Sequence, residues 1–266
     1  MAAALIALRG IVVREILRFV HQRSRFLGAL VRPLIWLLVF AAGFRAALGI
    51  SITPPYQTYI TYETYIVPGL VGMIQLFNGM QSSLSMVYDR EMGSMRVLLT
   101  SPLPRWWLLS CKLLAGTVVS ILQVYAFLLI ARAFGIVTPE WGLLAVLPAL
   151  VASGMMLGAL GLLLSSLIRQ LENFAGVMNF VVFPLFFCSS ALYPLWKMRE
   201  SSVLLYHVCS LNPFTHAVEL IRHALYLQVN APALGWTLLA AAVFMALAVV
   251  GYDPARALMR RKAEAG

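Results

Sequence analysis

Apolar runs fill most of this chain, and short polar segments separate them. Five stretches contain no Asp, Glu, Lys or Arg: 64–88, 113–131, 141–168, 173–196 and 223–252. Each is at least as long as the ~18–20 residues that a helix needs to cross a bilayer. A sixth apolar stretch, 26–50, contains Arg32 and Arg45. These two lie about 20 Å apart on a helix and can extend toward opposite interfaces. The pattern predicts an all-α integral membrane protein with six spans.

The order of these runs predicts a single transmembrane domain over residues 1–266. We expect its six spans at 26–50, 64–88, 106–134, 141–168, 173–194 and 233–252. Residues 1–25 precede them as a basic amphipathic interfacial helix, with apolar residues at spacings of three and four: Leu5, Leu8, Val12, Ile16 and Phe19. This helix either anchors the chain on the membrane surface or docks against a specific partner.

Residues 195–232 have a different pattern. The sequence Asn212-Pro213-Phe214 divides this segment into two apolar runs, each too short to cross a bilayer. Backbone that turns within a membrane is tolerated where it packs against protein. We therefore expect re-entrant helices that enter the outer leaflet and return between the fifth and sixth spans.

Composition and charge add an orientation to this picture. Hydrophobic residues make up 61% of the chain and charged residues 11%, against about a quarter charged in soluble domains. With six spans, fifteen of the twenty Lys and Arg residues lie on one side and five on the other. The positive-inside rule then predicts that both termini are cytoplasmic. We expect the location to be a bacterial inner (cytoplasmic) membrane. The net charge of +10 reflects this asymmetry and attraction to lipid, and it does not indicate a nucleic-acid partner.

The sequence offers little support for an enzyme or an ion-driven carrier. No Gly is followed by Lys, so the chain lacks the phosphate-binding loop of many ATPases. All ten acidic residues fall at interfaces, in loops or in tails, whereas ion-driven carriers usually hold acids near the bilayer midplane. His216 and His223 share a helical face without a nearby cluster of carboxylates. We predict no catalytic, cofactor-binding or metal site. A secondary carrier and a non-transporting membrane scaffold remain alternatives.

Two rows of residues lie on single helical faces within the spans. The second span has a polar face at spacings of three, four and three: Gln75, Asn78, Ser82 and Ser85. That face either lines a transport route or joins helices by hydrogen bonds. The fourth span has a row of small residues, typical of close helix packing: Gly154, Gly158, Gly161 and Ser165.

The segment between the second and third spans is compact and polar. Its sequence, YDREMGSMRVLLTSPLPRWWLLSCKLLAG at 88–116, resembles the inner loop of the membrane component of type-2 ABC exporters. The sequence LNPFTHAVELIRHAL at 211–225 is similar to the outer signature of that family, and its matching residues are Asn212, Pro213, Glu219 and Arg222. The resemblance covers most of the chain, although the Trp106-Trp107 pair and Arg45 depart from the family's pattern.

The resemblance implies that residues 89–105 form a coupling helix that docks into a separate ATP-binding subunit. The residues that would make this contact are Asp89, Arg90, Glu91, Gly93 and Arg96. The charged side chains would supply charge-assisted hydrogen bonds, and the glycine would allow close backbone approach. A merely solvated loop is the alternative interpretation.

The family also implies a function for the whole chain. A member would be the permease subunit of an exporter, forming a homodimer and pairing with two ATP-binding cassette subunits. ATP and Mg would bind in the partner subunit, so this chain would have no ATPase site of its own. The cargo would be an amphipathic, lipid-linked or polysaccharide substrate, and the resemblance does not choose among these.

Overall fold

Helices account for the secondary-structure elements of the described part of the chain. The computed structural model describes residues 2–21, 23–44, 54–58, 60–91, 104–136, 138–168 and 171–252. In these ranges the helices are α1 (Ala2–His21), α2 (Arg23–Phe44), α3 (Tyr62–Glu91), α4 (Arg105–Ala133), α5 (Gly142–Ala145), α6 (Leu147–Leu167), α7 (Leu171–Phe187), α8 (Leu195–Ser201), α9 (Val203–Leu211), α10 (Pro213–Leu225) and α11 (Ala231–Gly251). The all-α fold is therefore confirmed for these residues.

Helices α3 and α6 form the centre of the bundle. Helix α6 packs along α3 and along α11, while α2, α4, α7 and α10 also contact α3. Many of the largest fully buried side chains belong to α3, among them Tyr62, Tyr65 and Met80. Other helices therefore surround most of α3, which runs from one end of the bundle to the other.

Within the described ranges, three helices are long and apolar enough to cross a membrane: Arg105–Ala133, Gly142–Leu167 and Ala231–Gly251. The second of these is continuous through α5 and α6. Helix α11 exposes large apolar side chains such as Leu238, Leu239 and Leu247, as expected of a helix that faces lipid. These helices support an integral membrane protein, and the number of six spans stays a prediction.

Helix α3 is long enough to cross a bilayer but less apolar than these three. Its 30 residues extend about 45 Å at ~1.5 Å per residue, and they include Gln75, Asn78 and Gln81. A helix surrounded by protein can carry polar side chains that a lipid-facing helix cannot, because neighbouring helices satisfy them. The position of α3 in the centre thus explains its composition.

Several helix ends differ from the expected span boundaries. Helix α7 ends at Phe187, whereas the fifth span was expected to reach residue 194. Residues 188–194 instead form turns in which Ser189, Ser190 and Ala191 are buried. Helix α2 ends at Phe44, and the rest of the expected first span, to residue 50, lies outside the described residues.

The segment between α7 and α11 consists of short helices. Helices α8, α9 and α10 have 7, 9 and 13 residues, and each is shorter than the ~20 residues of a span. Ser202 caps α9 and Asn212 caps α10, where the Asn212 side chain accepts a hydrogen bond from the Phe214 amide at 2.9 Å. Re-entrant insertion of 195–232 stays a prediction.

Candidate functional site

A buried amide on α3 holds the centre of the bundle together. Gln75 is 1% exposed, and its Nε2 donates to the Leu150 carbonyl at 2.7 Å. Ser153 Oγ on α6 donates to Gln75 Oε1 at 2.6 Å. Both ends of this amide are therefore satisfied by α6, which is what a buried polar side chain requires.

The next polar residues of the same face turn toward α4. Asn78 is partly buried, and its Nδ2 donates to Gln123 Oε1 on α4 and to the Ile74 carbonyl. Ser82 lies next to Gly116 of α4, and Ser85 Oγ donates to the Ser82 carbonyl at 2.6 Å. The polar face predicted from the sequence thus lies against two different helices.

Small residues bring α6 into contact with α3 and α4. A Cβ atom built on Gly161 would lie 2.5 Å from Ser83 Oγ and 2.7 Å from the Gly79 carbonyl oxygen. A Cβ atom on Gly158 would lie 2.5 Å from Leu113 Cδ1, and one on Gly154 would lie 2.9 Å from Thr117 Cγ2. At Gly161 the neighbouring atoms include backbone, so a side chain there would require α3 to move. At Gly158 and Gly154 a side chain would require neighbouring side chains to shift.

The fourth small residue of the row contacts the end of α11 instead. Ser165 Oγ lies 2.6 Å from the Tyr252 hydroxyl and donates to the Leu162 carbonyl. Where α3, α4 and α6 meet, the space that remains is about 10 Å³, roughly the volume of one water position. This junction therefore has no room for a substrate.

A larger cavity lies between α2 and α3. Its volume is about 240 Å³, and its polar lining comes from Arg32, Asn78 and Gln81. Met73, Ile74 and Phe77 supply apolar lining, and the Arg32 guanidinium lies 4.1 Å from the centre of the Phe77 ring. The sequence allows Arg32 to extend toward an interface, and in the structure its guanidinium packs against a ring near the middle of α3. The depth of Arg32 in the membrane stays a prediction.

The outer signature predicted from the sequence forms a buried cluster around Arg222. Arg222 is 2% exposed. Its guanidinium donates hydrogen bonds to the Glu219 carboxylate and, at 2.8 Å, to the Ser190 carbonyl. The guanidinium carbon lies 4.0 Å from the centre of the Tyr65 ring. A buried charge of this kind requires a partner of opposite charge and further hydrogen bonds. Glu219 and Ser190 supply them.

Tyrosines extend this outer cluster to the loop that precedes α3. The rings of Tyr56 and Tyr226 are 4.7 Å apart, and Gln228 donates to the Pro55 carbonyl at 3.1 Å. Burial raises the pKa of the Tyr56 phenol, and it raises the pKa of Tyr226 to about 12. Both phenols are therefore neutral at physiological pH, which leaves the Glu219 carboxylate to balance Arg222.

Asn212 joins the start of α10 to the end of α7. Its Nδ2 donates to the Leu185 carbonyl at 2.8 Å and to the Cys188 carbonyl at 2.6 Å. Pro213 follows as the first residue of α10, a position that favours proline because its amide would have no helical partner. The predicted outer residues thus join α3, α7 and α10 into one packed unit.

The predicted coupling segment is described only at its margins. Asp89, Arg90 and Glu91 form the last turn of α3, and α4 begins at Arg105 after Pro104. Gly93 and Arg96 lie outside the described residues. Helix α1 packs against α4, so the helix predicted to lie at the membrane interface contacts one of the two helices that flank this segment.

Some residues of these sites were not singled out from the sequence. Gln123 and Ser153 each complete a hydrogen bond described above. The Tyr65 ring faces the Arg222 guanidinium, and the Tyr56 ring packs against Tyr226. A signal existed for Gln123, because an amide in an uncharged span usually has a partner. The tyrosines carried no such signal, since tyrosine is common at membrane interfaces.

Comparison with known proteins identifies the class. The sequence matches the ABC-2 type transporter family over residues 7–226, which includes α2 to α10 and most of α1. The chain belongs to this family. It is therefore the membrane permease component of an ABC transporter, a transmembrane subunit that works with an ATP-binding cassette partner, as the resemblance predicted.

Particular relatives carry names that agree with this class. The chain is 27% identical over 223 residues to a protein of Cyanophora paradoxa named as a transport permease, ycf38, with 80% of this chain and 71% of that protein covered. It is 26% identical over 231 residues to ycf38 of Pyropia yezoensis, with 84% and 75% covered. It is also 31% identical over 176 residues to YbhR of Escherichia coli K12, named as a multidrug ABC transporter permease, with 65% and 46% covered.

Proposed function

We propose that this chain is the permease half of an ATP-driven exporter in a bacterial inner membrane. Two copies would form the membrane part, and two ATP-binding subunits would dock on the cytoplasmic side, where both termini lie. The family match over residues 7–226 carries this proposal, because it includes the segment expected to dock and the outer cluster. Six spans, with 195–232 re-entrant in the outer leaflet, complete the proposed architecture.

Helix α3 has the right connections to transmit movement across the membrane. At one end it carries Asp89, Arg90 and Glu91, the described part of the proposed coupling segment. At the other end, Tyr62 donates to the Leu192 carbonyl and Tyr65 to the Ser190 carbonyl, both at 3.0 Å. Closure of the ATP-binding subunits would displace the first end, and a rigid helix would move the outer cluster with it.

The proposed substrate route runs along the side of α3 that faces α2. The cavity of about 240 Å³ lies on that side, whereas the junction with α4 and α6 has no room for a substrate. In this proposal Gln75 and the glycine row of α6 hold helices together, and Asn78 contributes to the route. The polar face of α3 would thus have both roles: Gln75 would join helices by hydrogen bonds, and Asn78 would line the transport route.

We further propose that the cargo is amphipathic and moves outward. Support comes from the name of the Escherichia coli relative, a multidrug transporter permease, and from the apolar surroundings of the cavity. Met73, Ile74 and Phe77 line it, which favours a molecule with an apolar part over a fully hydrophilic polymer.

Reconstitution tests the proposal. The chain should be purified with the ATP-binding subunit encoded by a neighbouring reading frame, placed in lipid vesicles, and assayed for ATP hydrolysis and for movement of amphiphiles. We expect a stable complex whose transport requires ATP. A matched complex in which the phosphate-binding lysine of the ATP-binding subunit is replaced by alanine should assemble and not transport.

Two results would contradict the proposal. One is failure of any ATP-binding subunit of the same genome to copurify with the chain. The other is transport by the chain alone that continues without ATP and stops when the ion gradient is collapsed, because that behaviour defines a secondary carrier.

A further inference from the structure

Arg32 contacts the middle of α3, a helix that the proposed function places across the membrane. The Phe77 ring beneath the guanidinium belongs to the sixteenth of the 30 residues of α3. If α3 crosses a bilayer, the guanidinium lies near mid-depth. A charge at that depth is costly and normally has a functional reason.

The surface around Arg32 is apolar, as membrane depth requires. Val31, Ile35 and Leu38 of α2 are exposed, each by about half of its surface. Arg32 itself is exposed between them and borders the cavity between α2 and α3. Its position is therefore accessible from the apolar surface as well as from the cavity.

No carboxylate balances this charge among the side chains that the structure describes. The ion pairs found there join Arg14 to Glu15, and Arg222 and His223 to Glu219. The acids of α3 itself are at its ends: Glu63 and Asp89 lie fourteen and twelve residues from Phe77, or about 21 and 18 Å along the helix. Among these residues, the Arg32 guanidinium packs against the Phe77 ring.

The rest of the cavity is suited to an anionic head group. The Gln81 amide lines the same cavity and can donate hydrogen bonds to an anionic group held by the guanidinium. The Asn78 amide also borders the cavity, but its N–H groups already donate to Ile74 and Gln123. A volume of about 240 Å³ lies just below the usual range of pockets for drug-sized ligands. It suits the head of an amphiphile whose tail lies along the exposed apolar face of α2.

We infer that the cavity bordered by Arg32, Asn78 and Gln81 binds the anionic head group of an amphiphile on the transport route. This inference rests on the proposed function and narrows it from amphipathic cargo to anionic amphiphiles with a phosphate, sulfate or carboxylate group. Arg32 is the specificity-determining residue, because it distinguishes an anionic head from a neutral one with the same tail.

Binding of two matched lipids tests the inference directly. The purified transporter complex, in discs of phosphatidylcholine, is titrated with radiolabelled lysophosphatidylglycerol and with radiolabelled lysophosphatidylcholine of the same chain length. We expect the anionic lipid to bind at least about tenfold more tightly, the ratio expected from a hydrogen bond between charged groups. Equal affinities for the two lipids overturn the inference.

Variants identify the residue responsible. Arg32→Gln should reduce the affinity ratio to less than about threefold, whereas Arg32→Lys should keep part of it because the charge remains. Arg132→Gln, which removes an exposed charge at the end of α4, is the matched control and should bind as the wild type does. An unchanged ratio in Arg32→Gln overturns the inference.

A second variant keeps the test valid if Arg32→Gln does not fold. Gln81→Glu leaves Arg32 in place and adds a carboxylate to the same cavity, at an exposed position. Pairing of this carboxylate with Arg32 should abolish the preference for the anionic lipid. Persistence of the preference in Gln81→Glu overturns the inference as well.

Two further arms distinguish the sources of the anion. Inorganic phosphate should not displace lysophosphatidylglycerol, and displacement by equal concentrations would assign the site to a soluble anion and overturn the inference. Phosphatidylglycerol added to the disc membrane should compete with lysophosphatidylglycerol for the site. If lysophosphatidylglycerol binds without stimulating ATP hydrolysis, the cavity holds a resident lipid, and its place on the transport route is refuted.

The same experiment separates this inference from the proposed function. Lipid affinity is measured by binding alone and requires neither ATP nor transport. ATP hydrolysis by the complex tests the exporter proposal independently. A functional exporter with no head-group preference would refute the inference alone, and a preference in a chain with no ATP-binding partner would refute the exporter alone.

Discussion

At position 161, the absence of a side chain allows α6 to touch α3. A Cβ atom there would lie 2.5 Å from Ser83 Oγ and 2.7 Å from the Gly79 carbonyl oxygen. The backbone oxygen cannot rotate away as a side chain does. Single methyl groups thus decide how closely the two central helices approach each other.

Gly161→Ala should therefore destabilise the protein. We expect the free energy of unfolding to fall by about 1–3 kcal/mol, as at other overpacked positions. The melting temperature in detergent should fall as well. Gly235→Ala in α11 is the matched control, because nothing lies within 4 Å of a Cβ atom built there, and alanine is the better helix former. Equal melting temperatures for the two variants would disprove close packing at Gly161.

Gln75 and Asn78 offer a comparison within one helical face. Gln75→Leu removes two hydrogen bonds to α6, each worth about 0.6 kcal/mol on average within membranes. It should lower the melting temperature and leave transport per folded molecule unchanged. Asn78→Leu should change transport and substrate-stimulated ATP hydrolysis, because Asn78 borders the cavity.

The pair is informative because the two substitutions are chemically alike. Thermal unfolding and transport must be measured on the same preparations, with transport normalised to folded protein. If Gln75→Leu alters substrate preference at unchanged stability, our division of the α3 face is incorrect. The same holds if Asn78→Leu affects stability alone.

At the scale of elements, the outer cluster ties short helices that cannot be stable by themselves. Helices α8 and α9 have fewer than ten residues, and isolated helices of this length are marginal. Hydrogen bonds from Asn212 to the end of α7 and from Arg222 to Ser190 fix the segment to its neighbours. The segment therefore depends on a few buried polar contacts.

Arg222→Met should loosen this segment. It removes the arginine partner of Glu219, and breaking a buried ion pair costs about 3–5 kcal/mol. We expect a lower melting temperature and faster proteolysis between residues 195 and 230. The double variant with Glu219→Gln should recover part of the loss, and Arg199→Met, at an exposed arginine of α8, should have little effect. Full stability of Arg222→Met would contradict a structural role for the pair.

The inner end of α3 gives a second prediction for a single element. Glu91→Arg reverses a charge of the proposed coupling segment and should uncouple ATP hydrolysis from transport, or release the ATP-binding subunit during purification. The effect on binding should be about 2–5 kcal/mol if the contact excludes water, and smaller at a rim. Glu200→Arg, an exposed reversal in α8, is the control. Normal copurification and normal coupling of Glu91→Arg would remove this residue from the contact.

At the scale of the whole molecule, the distribution of basic residues predicts an orientation. In a variant without Cys111, Cys188 and Cys209, single cysteines are placed at Ser51 and Ser201, and separately at Ser94 and Ala263. The cysteines at positions 51 and 201 should react with an impermeant thiol reagent in intact cells. Those at positions 94 and 263 should react only after the cells are lysed. Labelling of position 263 in intact cells would show that the predicted orientation is wrong.

Composition and periodicity by themselves determined the all-α fold and the membrane class. Long uncharged runs have one stable outcome in a bilayer, because helices satisfy their own backbone hydrogen bonds there. The segments 88–116 and 211–225 also sufficed to indicate the family that the match over 7–226 establishes. The roles of the coupling residues, Asp89 to Arg96, and the number of spans stay predictions.

Tertiary structure alone decided which face of a helix meets which neighbour. Periodicity placed Gln75 and Asn78 on one side of α3, but their partners Ser153 and Gln123 lie 78 and 45 residues away in the chain. The sequence likewise allowed Arg32 to extend toward an interface, and packing directed it onto Phe77. Helical spacing specifies neighbours within a helix, whereas contacts between helices depend on how the bundle is assembled.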